Sequence, residues 1–320
     1  MDLVSTSPST QSLHPTQMNH DLWKGFWRLA DPKISLASMA SLFLGTCAAA
    51  ANGPVHGGWL IVTVLGIFAI EVAKNASGEI FDFDSGADLA VASQDRSPFS
   101  GGKRVLVEGL LTRGETAAIS AVGYLIGVGA GFWIVAGREP KILWIGIAGV
   151  ACAYLYHAPP FKLSYRGLGE LAVALCYGPL IAAGAYLVQR GRIAPAVLLA
   201  SLPLGLLIGA FLWINEFPDC GADQSAGKRT LVVRLGRHRA SQTFAFIVVS
   251  AFGLLALVML LEQRPALGLG FVAAPPAMSA VRRVWRNPEQ TREIVPAQAH
   301  TLLSFLLFAI GTGVGLLIDR

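Results

Sequence analysis

The chain is 320 residues long, 53% hydrophobic and only 14% charged, against roughly 45–50% apolar and about 25% charged in an ordinary soluble domain. That excludes a soluble enzyme and a disordered chain. The formal net charge of +5 does not restore a nucleic-acid binder, because where the charge lies matters more than its sum, and what remains is an all-α polytopic membrane protein.

In chain order, residues 1–20 are rich in Ser, Thr and Pro, with no apolar core and no basic start, so they read as a disordered polar tail rather than a signal peptide. Residues 21–320 read as a single intramembrane domain. Trp23, Phe26 and Trp27 alternate with Lys24 and Arg28, the pattern of a short interfacial helix. A membrane helix needs about 20 mostly apolar residues. On that measure about nine transmembrane helices are predicted, near 34–52, 57–81, 115–136, 141–157, 167–189, 195–217, 239–262, 265–285 and 295–317. The fourth is short, and the eighth carries Pro275–Pro276. Cys47, Cys152, Cys176 and Cys220 lack ligand spacing, so neither a disulfide framework nor a zinc site is expected.

With the N-terminus in the cytoplasm, only Arg138, Lys141, Arg190, Arg192, Arg264 and Arg320 of the 25 Lys and Arg residues fall outside. Such a bias satisfies the positive-inside rule. The expected placement is the plasma (inner) membrane, with the N-terminus and the long polar loops, 82–114 and 218–238, on the cytoplasmic side.

Acidic residues gather at that face. The second span ends in KNASGEIFDFDSGAD, from Lys74 to Asp88. On a helix, Asn75, Glu79 and Asp82 fall at about 0°, +40° and −20°, one narrow stripe. Ser85-Gly86 is expected to break the helix, leaving Asp84 and Asp88 in the turn. The sixth span ends in WINEFPDCGADQSAGKRTLVVRLG, with Asn215, Asp219 and Asp223 at i, i+4 and i+8. Pro218 weakens that spacing, since proline sits poorly inside a helix. Carboxylates are costly at a membrane boundary and mark a site.

Each acidic stretch precedes its own cations: Arg96, Lys103 and Arg104 after the first, Lys228 and Arg229 after the second. Between them, YHAPPFKLSYRGLGE brings Tyr156, Lys162, Tyr165 and Arg166 to the same face. Mg²⁺ is usually held by one or two carboxylates plus substrate phosphates, and Arg and Lys suit the remaining phosphate charge. A diphosphate bridged by Mg²⁺ between the two stretches fits this arrangement. Glu71 is more interior, and pairing with Lys74 or Asn75 is its plainest role; the histidines are assigned none.

With FDFDSGAD, RSPFSGGKRVLVEGLLT, YRGLGEL and AGKRTLVVRLG, the chain from roughly 25 to 317 resembles the UbiA superfamily of intramembrane prenyltransferases. The strings are most similar to the branch that prenylates 1,4-dihydroxy-2-naphthoate in menaquinone synthesis. The resemblance implies a helix bundle around a cavity that the inner loops cap and that opens laterally to lipid. It implies Mg²⁺ at Glu79, Asp82, Asp219 and Asp223, with Asp88 a further candidate. Glu79 then stands for an Asp of the family's first motif and Gly78 for its Asn, with Asn75 one turn earlier. Lys162 matches the family's diphosphate lysine, and Arg96, Lys103, Arg104, Lys228, Arg229, Asn75 and Asn215 complete the diphosphate site. The implied partners are a polyprenyl diphosphate, an aromatic acceptor and the bilayer. Phe81, Phe83, Phe99, Tyr156, Tyr165 and Phe217 are candidates to face an allylic cation.

Other acceptors stay open within the superfamily: 4-hydroxybenzoate, homogentisate, haem, chlorophyllide, or a sugar or glycerol phosphate. From another class, a secondary transporter also carries charged residues and broken helices, but near the bilayer midplane. The Asp-Gly-x-x-Ala-Arg run of the CDP-alcohol phosphatidyltransferases is absent.

Overall fold

A computed structural model describes residues 20–319; the predicted polar tail, save its last residue, lies outside the described residues. Among the described residues the chain is helical with no strand. It opens with α1 (Leu22–Ala30), whose N-cap Asp21 accepts the Lys24 amide. Asp31 then takes a left-handed conformation and Pro32 fills the first position of α2 (Pro32–Ala51), where a missing N–H is harmless. The remaining helices are α3 (Gly57–Asp84), α4 (Ala87–Ala90), α5 (Arg113–Gly137), α6 (Ile142–Leu155), α7 (Gly169–Leu175), α8 (Ile181–Arg190), α9 (Pro195–Ser225), α10 (Leu231–Glu262), α11 (Ala274–Arg286) and α12 (Thr291–Ile318).

Seven helical stretches are long and apolar enough to cross a membrane, so the protein is a multi-pass membrane protein. These are seven of the nine expected spans, and the other two are the segments marked as irregular. α6 has only 14 residues. Residues 265–273 wind as a tight 3₁₀ segment before α11, which itself has 13 residues.

The post of the bundle is α9. Leu204, Leu207, Ile208, Phe211 and Phe217 are all but inaccessible in the main core, and the Trp213 indole donates to the Ala240 carbonyl at 3.0 Å. The α9 helix runs unbroken through Pro203 and Pro218, which corrects the expected break: neighbouring helices and water make up for a proline's lost bond in membrane helices. Its C-terminal turns and the start of α10 also absorb most of the predicted 218–238 loop, leaving a turn of five residues, 226–230, between them. Opposite, α7 passes into α8 through a π turn at Cys176–Leu180 that holds Pro179. There the backbones nearly touch: a β-carbon on Gly178 would lie 2.6 Å from the Gly205 Cα, so only glycine fits. Small residues at such crossings let membrane helices approach closely.

The 91–112 connection folds back over the ends of α3 and α9. Lys33 donates to the Pro98 carbonyl at 2.7 Å, and the Thr291 hydroxyl to Asp95 at 2.7 Å. Ser97 bonds Ser100 at 2.7 Å and Gln298 at 3.0 Å. Thr112 and Glu115 close a reciprocal capping box that starts α5.

Candidate active site

A cavity of about 560 Å³ lies under this connection, between the ends of α3 and α9. Glu79, Asp82 and Asp88 line it from one side, Asn215, Glu216, Asp219 and Asp223 from the other, and Arg96, Lys103, Arg104 and Lys228 reach its wall. Two stretches more than 120 residues apart in sequence thus share one chamber. Because α9 stays helical through Pro218, Asn215, Asp219 and Asp223 keep their common face.

Lys228 joins the two stretches. Its Nζ lies 3.5 Å from Asp223 Oδ1 and 4.0 Å from Asp82 Oδ2. Burial opposes its charge, yet Asp82 and Asp223 outweigh that and hold the ammonium well above the ordinary lysine range. Asp82 also accepts the Tyr165 hydroxyl at 2.8 Å. His157 Nε2 stands 3.7 Å from Asp82, and burial, opposed by Asp82 and helped by Lys228 and Lys74, pushes its pKa down to about 4. The imidazole is neutral at physiological pH.

The remaining acids organise the lid. Asp219 Oδ2 accepts the Gly101 amide at 3.1 Å. Glu79 accepts the backbone N–H groups of Arg104 at 3.1 Å and Leu106 at 2.9 Å, one on each oxygen. The long side chain thus reaches across to the loop, with one hydrogen bond on each oxygen. Gly102, at φ +73°, leaves room that a side chain would take from the Asp88 carboxylate.

Other expected site residues also have partners of their own. The Asn75 amide donates to the Leu29 carbonyl at 2.8 Å and ties α1 to α3. Lys103 is paired with Asp31; Arg104 donates to the Asp88 carbonyl at 2.7 Å and lies 3.5 Å from Glu108. Lys162 stands over the Tyr165 ring, 5.2 Å from its centre, and Arg229 is exposed; neither lines the chamber. Of the aromatics, Phe99 and Tyr156 line it, whereas Phe217 is buried in the core. Sequence reasoning passed over Glu216 and His157. The signal for Glu216 was an acid in an apolar run, three residues before Asp219.

The donor set suits a hard cation. Asp88 Oδ2, Asp219 Oδ1, Glu216 Oε2 and the Asn215 side-chain oxygen are all buried without a hydrogen-bond partner, a costly state for a polar atom. Among the described residues no three acidic, His or Cys side chains close on one point as a metal cage. Such a site takes an ion only together with oxygens from a ligand, which is how Mg²⁺ is usually held.

Asp88 carries the electrostatic load of the chamber. Burial, then Asp82 and Glu79, raises its pKa from 3.8 to about 8. Between those values the folded protein keeps a proton that the unfolded chain has released, so stability falls as pH rises through the window. Thermal melts of metal-free protein from pH 5 to 8 should show that decline, and Asp88→Asn should flatten it. An unchanged slope in the variant would remove Asp88 as its source.

At its deep end the chamber meets an apolar cavity of about 200 Å³ between α3, α5, α6 and α8, lined by Val62, Ile67, Ile70, Ile145, Leu180 and others. Lys74, Tyr156, Val173 and Tyr177 line both.

Residues 38–305 match the UbiA prenyltransferase family. The chain is 28% identical over 299 residues to 1,4-dihydroxy-2-naphthoate octaprenyltransferase of Bacillus subtilis, covering 92% of each chain. It is 28% identical to 2-carboxy-1,4-naphthoquinone phytyltransferase of Synechocystis sp., over 97% of this chain and 95% of the relative. In three dimensions it is similar to a UbiA homolog from Archaeoglobus fulgidus bound to DMAPP and Mg²⁺, with a TM-score of 0.61, 15% identity, and 92% and 99% of the two chains covered. At that identity the likeness speaks for the fold alone.

Proposed function

The chain belongs to the UbiA prenyltransferase family, and from that membership we propose that it transfers a polyprenyl group from an allylic diphosphate to 1,4-dihydroxy-2-naphthoate in menaquinone biosynthesis. The observation that carries the reading is the single chamber in which Asp82, Asp88, Asp219 and Asp223 converge around Lys228 and which continues into an apolar cavity. A diphosphate needs the first part and an isoprenoid tail the second. The names of the two relatives support the acceptor, and the Mg²⁺ and DMAPP bound to the archaeal homolog support the metal and the donor class.

In this reading Asp82, Asp88, Asp219 and Asp223 hold Mg²⁺, with the Asn215 oxygen beside them, and Glu79 positions the lid. Bound there, Mg²⁺ would neutralise negative charge on the diphosphate. The rest falls to the chain. Lys228 lies where the leaving group's charge develops as the C–O bond breaks, and a preplaced cation in a dry site is worth far more than in water. Arg96 at the mouth adds to it, and Lys103 and Arg104 fix the lid through their pairs with Asp31 and Glu108. The 91–112 lid and the apolar cavity keep water from the allylic cation until the acceptor ring's π electrons take it. Tyr156, which lines the chamber, is an aromatic available to stabilise that cation. The positive-inside charge bias supports a chamber at the cytoplasmic face of the plasma membrane.

The test is a product assay. Membranes containing the chain receive a labelled polyprenyl diphosphate, Mg²⁺ and a panel of aromatic acceptors, and products are read by mass spectrometry. A prenylated naphthoquinol that has lost its carboxylate is the expected result. Transfer only to another acceptor would overturn the branch, and no transfer by folded protein would overturn the activity.

A further inference from the structure

The junction between the two cavities holds a buried carboxylate and an ammonium that the diphosphate chemistry leaves unused. Glu71 is 5% exposed, lines the apolar cavity, and neither of its oxygens has a hydrogen-bond partner. The Ser35, Ser38 and Tyr177 hydroxyls are close enough to act on it, but Ser38 donates to the Ser35 carbonyl at 2.9 Å and Ser35 to the Ala30 carbonyl at 3.4 Å, which leaves the Tyr177 hydroxyl as its one near donor. The expected pairing of Glu71 with Lys74 or Asn75 is not made. Lys74 points into both cavities and makes one hydrogen bond, to the Tyr177 hydroxyl at 3.3 Å. Its Nζ stands 5.9 Å from the centre of the Tyr156 ring and 5.6 Å from that of Tyr177.

A buried carboxylate with one near donor, beside a barely bonded ammonium in an apolar pocket, is expensive. A ligand that carries an anion, a hydroxyl and a flat apolar body would satisfy all of it. We propose that Lys74, Glu71, Tyr156 and Tyr177 form the subsite for an aromatic hydroxy acid acceptor: the ammonium takes its carboxylate, Glu71 accepts from a ring hydroxyl, and the two tyrosines flank the ring. The proposal rests on the prenyl transfer argued above and adds where its acceptor binds. Position favours this over a second diphosphate contact. Along α3, the Lys74 backbone lies about 12 Å deeper than Asp82 and about 7.5 Å deeper than Glu79 at 1.5 Å per residue. Between the acids and the tail cavity, the acceptor ring would meet the allylic carbon as the diphosphate leaves.

Steady-state kinetics with 1,4-dihydroxy-2-naphthoate and with 1,4-dihydroxynaphthalene, which lacks the carboxylate, test it. Loss of one charge-assisted contact should raise the Lys74→Met KM for the acid about 10- to 100-fold, leave the KM for the polyprenyl diphosphate unchanged, and abolish the wild-type preference for the acid over the analogue. Lys74→Arg should restore part of that preference. Glu71→Gln should raise KM for both acceptors alike, since both present the hydroxyl. The unchanged diphosphate KM also certifies the fold; if Lys74→Met is too unstable to assay, Lys74→Gln, which keeps a donor for Tyr177, carries the same reading. An unchanged acceptor KM, or a rise in diphosphate KM instead, would overturn the subsite. A wild-type protein that prenylates neither acceptor would overturn the transfer reaction and the subsite with it, a distinct outcome.

Discussion

Asp219→Asn should cost about a hundred- to a thousandfold in kcat at saturating Mg²⁺, the scale set by removing charge stabilisation from a preorganised site, while the protein stays folded. The substitution is close to isosteric. The Asn oxygen can still accept the Gly101 amide that Asp219 accepts at 3.1 Å, so the lid keeps its anchor. What disappears is the charge on the other oxygen, Oδ1, which is buried without a partner and is the donor left over for a cation. Turnover measured beside a melting curve separates the two effects. Activity within tenfold of wild type would mean that Asp219 only holds the lid.

The second large effect belongs to Lys228→Met. Lys228 is the contact between the two acidic stretches, at 3.5 Å from Asp223 and 4.0 Å from Asp82, with its side chain only 16% exposed. Removing one partner of a buried ion pair leaves the others uncompensated, at a cost of about 3–5 kcal/mol. A substantial drop in melting temperature in metal-free buffer should result. Added Mg²⁺ should recover much of it, because a divalent cation supplies the missing charge and binding to the native state stabilises it. Turnover should not recover, since the ammonium that meets the leaving diphosphate is gone. Full activity in Mg²⁺ would show that Lys228 is structural only.

The sequence makes some of this legible and leaves some hidden, for physical reasons. The acidic stretches stand out because charge is rare in this chain and costly where it occurs. Their spacing survives because helical geometry is local: Asn215, Asp219 and Asp223 needed only α9 to continue, and it does so through Pro218. The family motifs are equally local strings. What Glu79 does is not local, since its oxygens meet the Arg104 and Leu106 amides 25 and 27 residues further along the chain. Lys162 and Arg229 have the right residue type on the right face, yet their direction depends on turns that spacing does not encode. Apolar length alone does not show that α6 is short or that 265–273 winds as a 3₁₀ segment, because composition does not report where a helix tightens or stops. Glu71 read as a paired acid because Lys74 is one turn away, and only packing reveals that the two do not meet.

The central claim is that both acidic stretches hold one metal together with one diphosphate. Anomalous scattering from crystals grown with Mn²⁺ in place of Mg²⁺ and a non-hydrolysable allylic thiolodiphosphate tests it most directly. The account predicts a metal peak between α3 and α9, bound by Asp82 or Asp88 from one side and Asp219 or Asp223 from the other, with diphosphate oxygens completing its shell and Lys228 against the thiolodiphosphate. A metal held by one stretch alone, or a diphosphate seated away from Lys228, would contradict it.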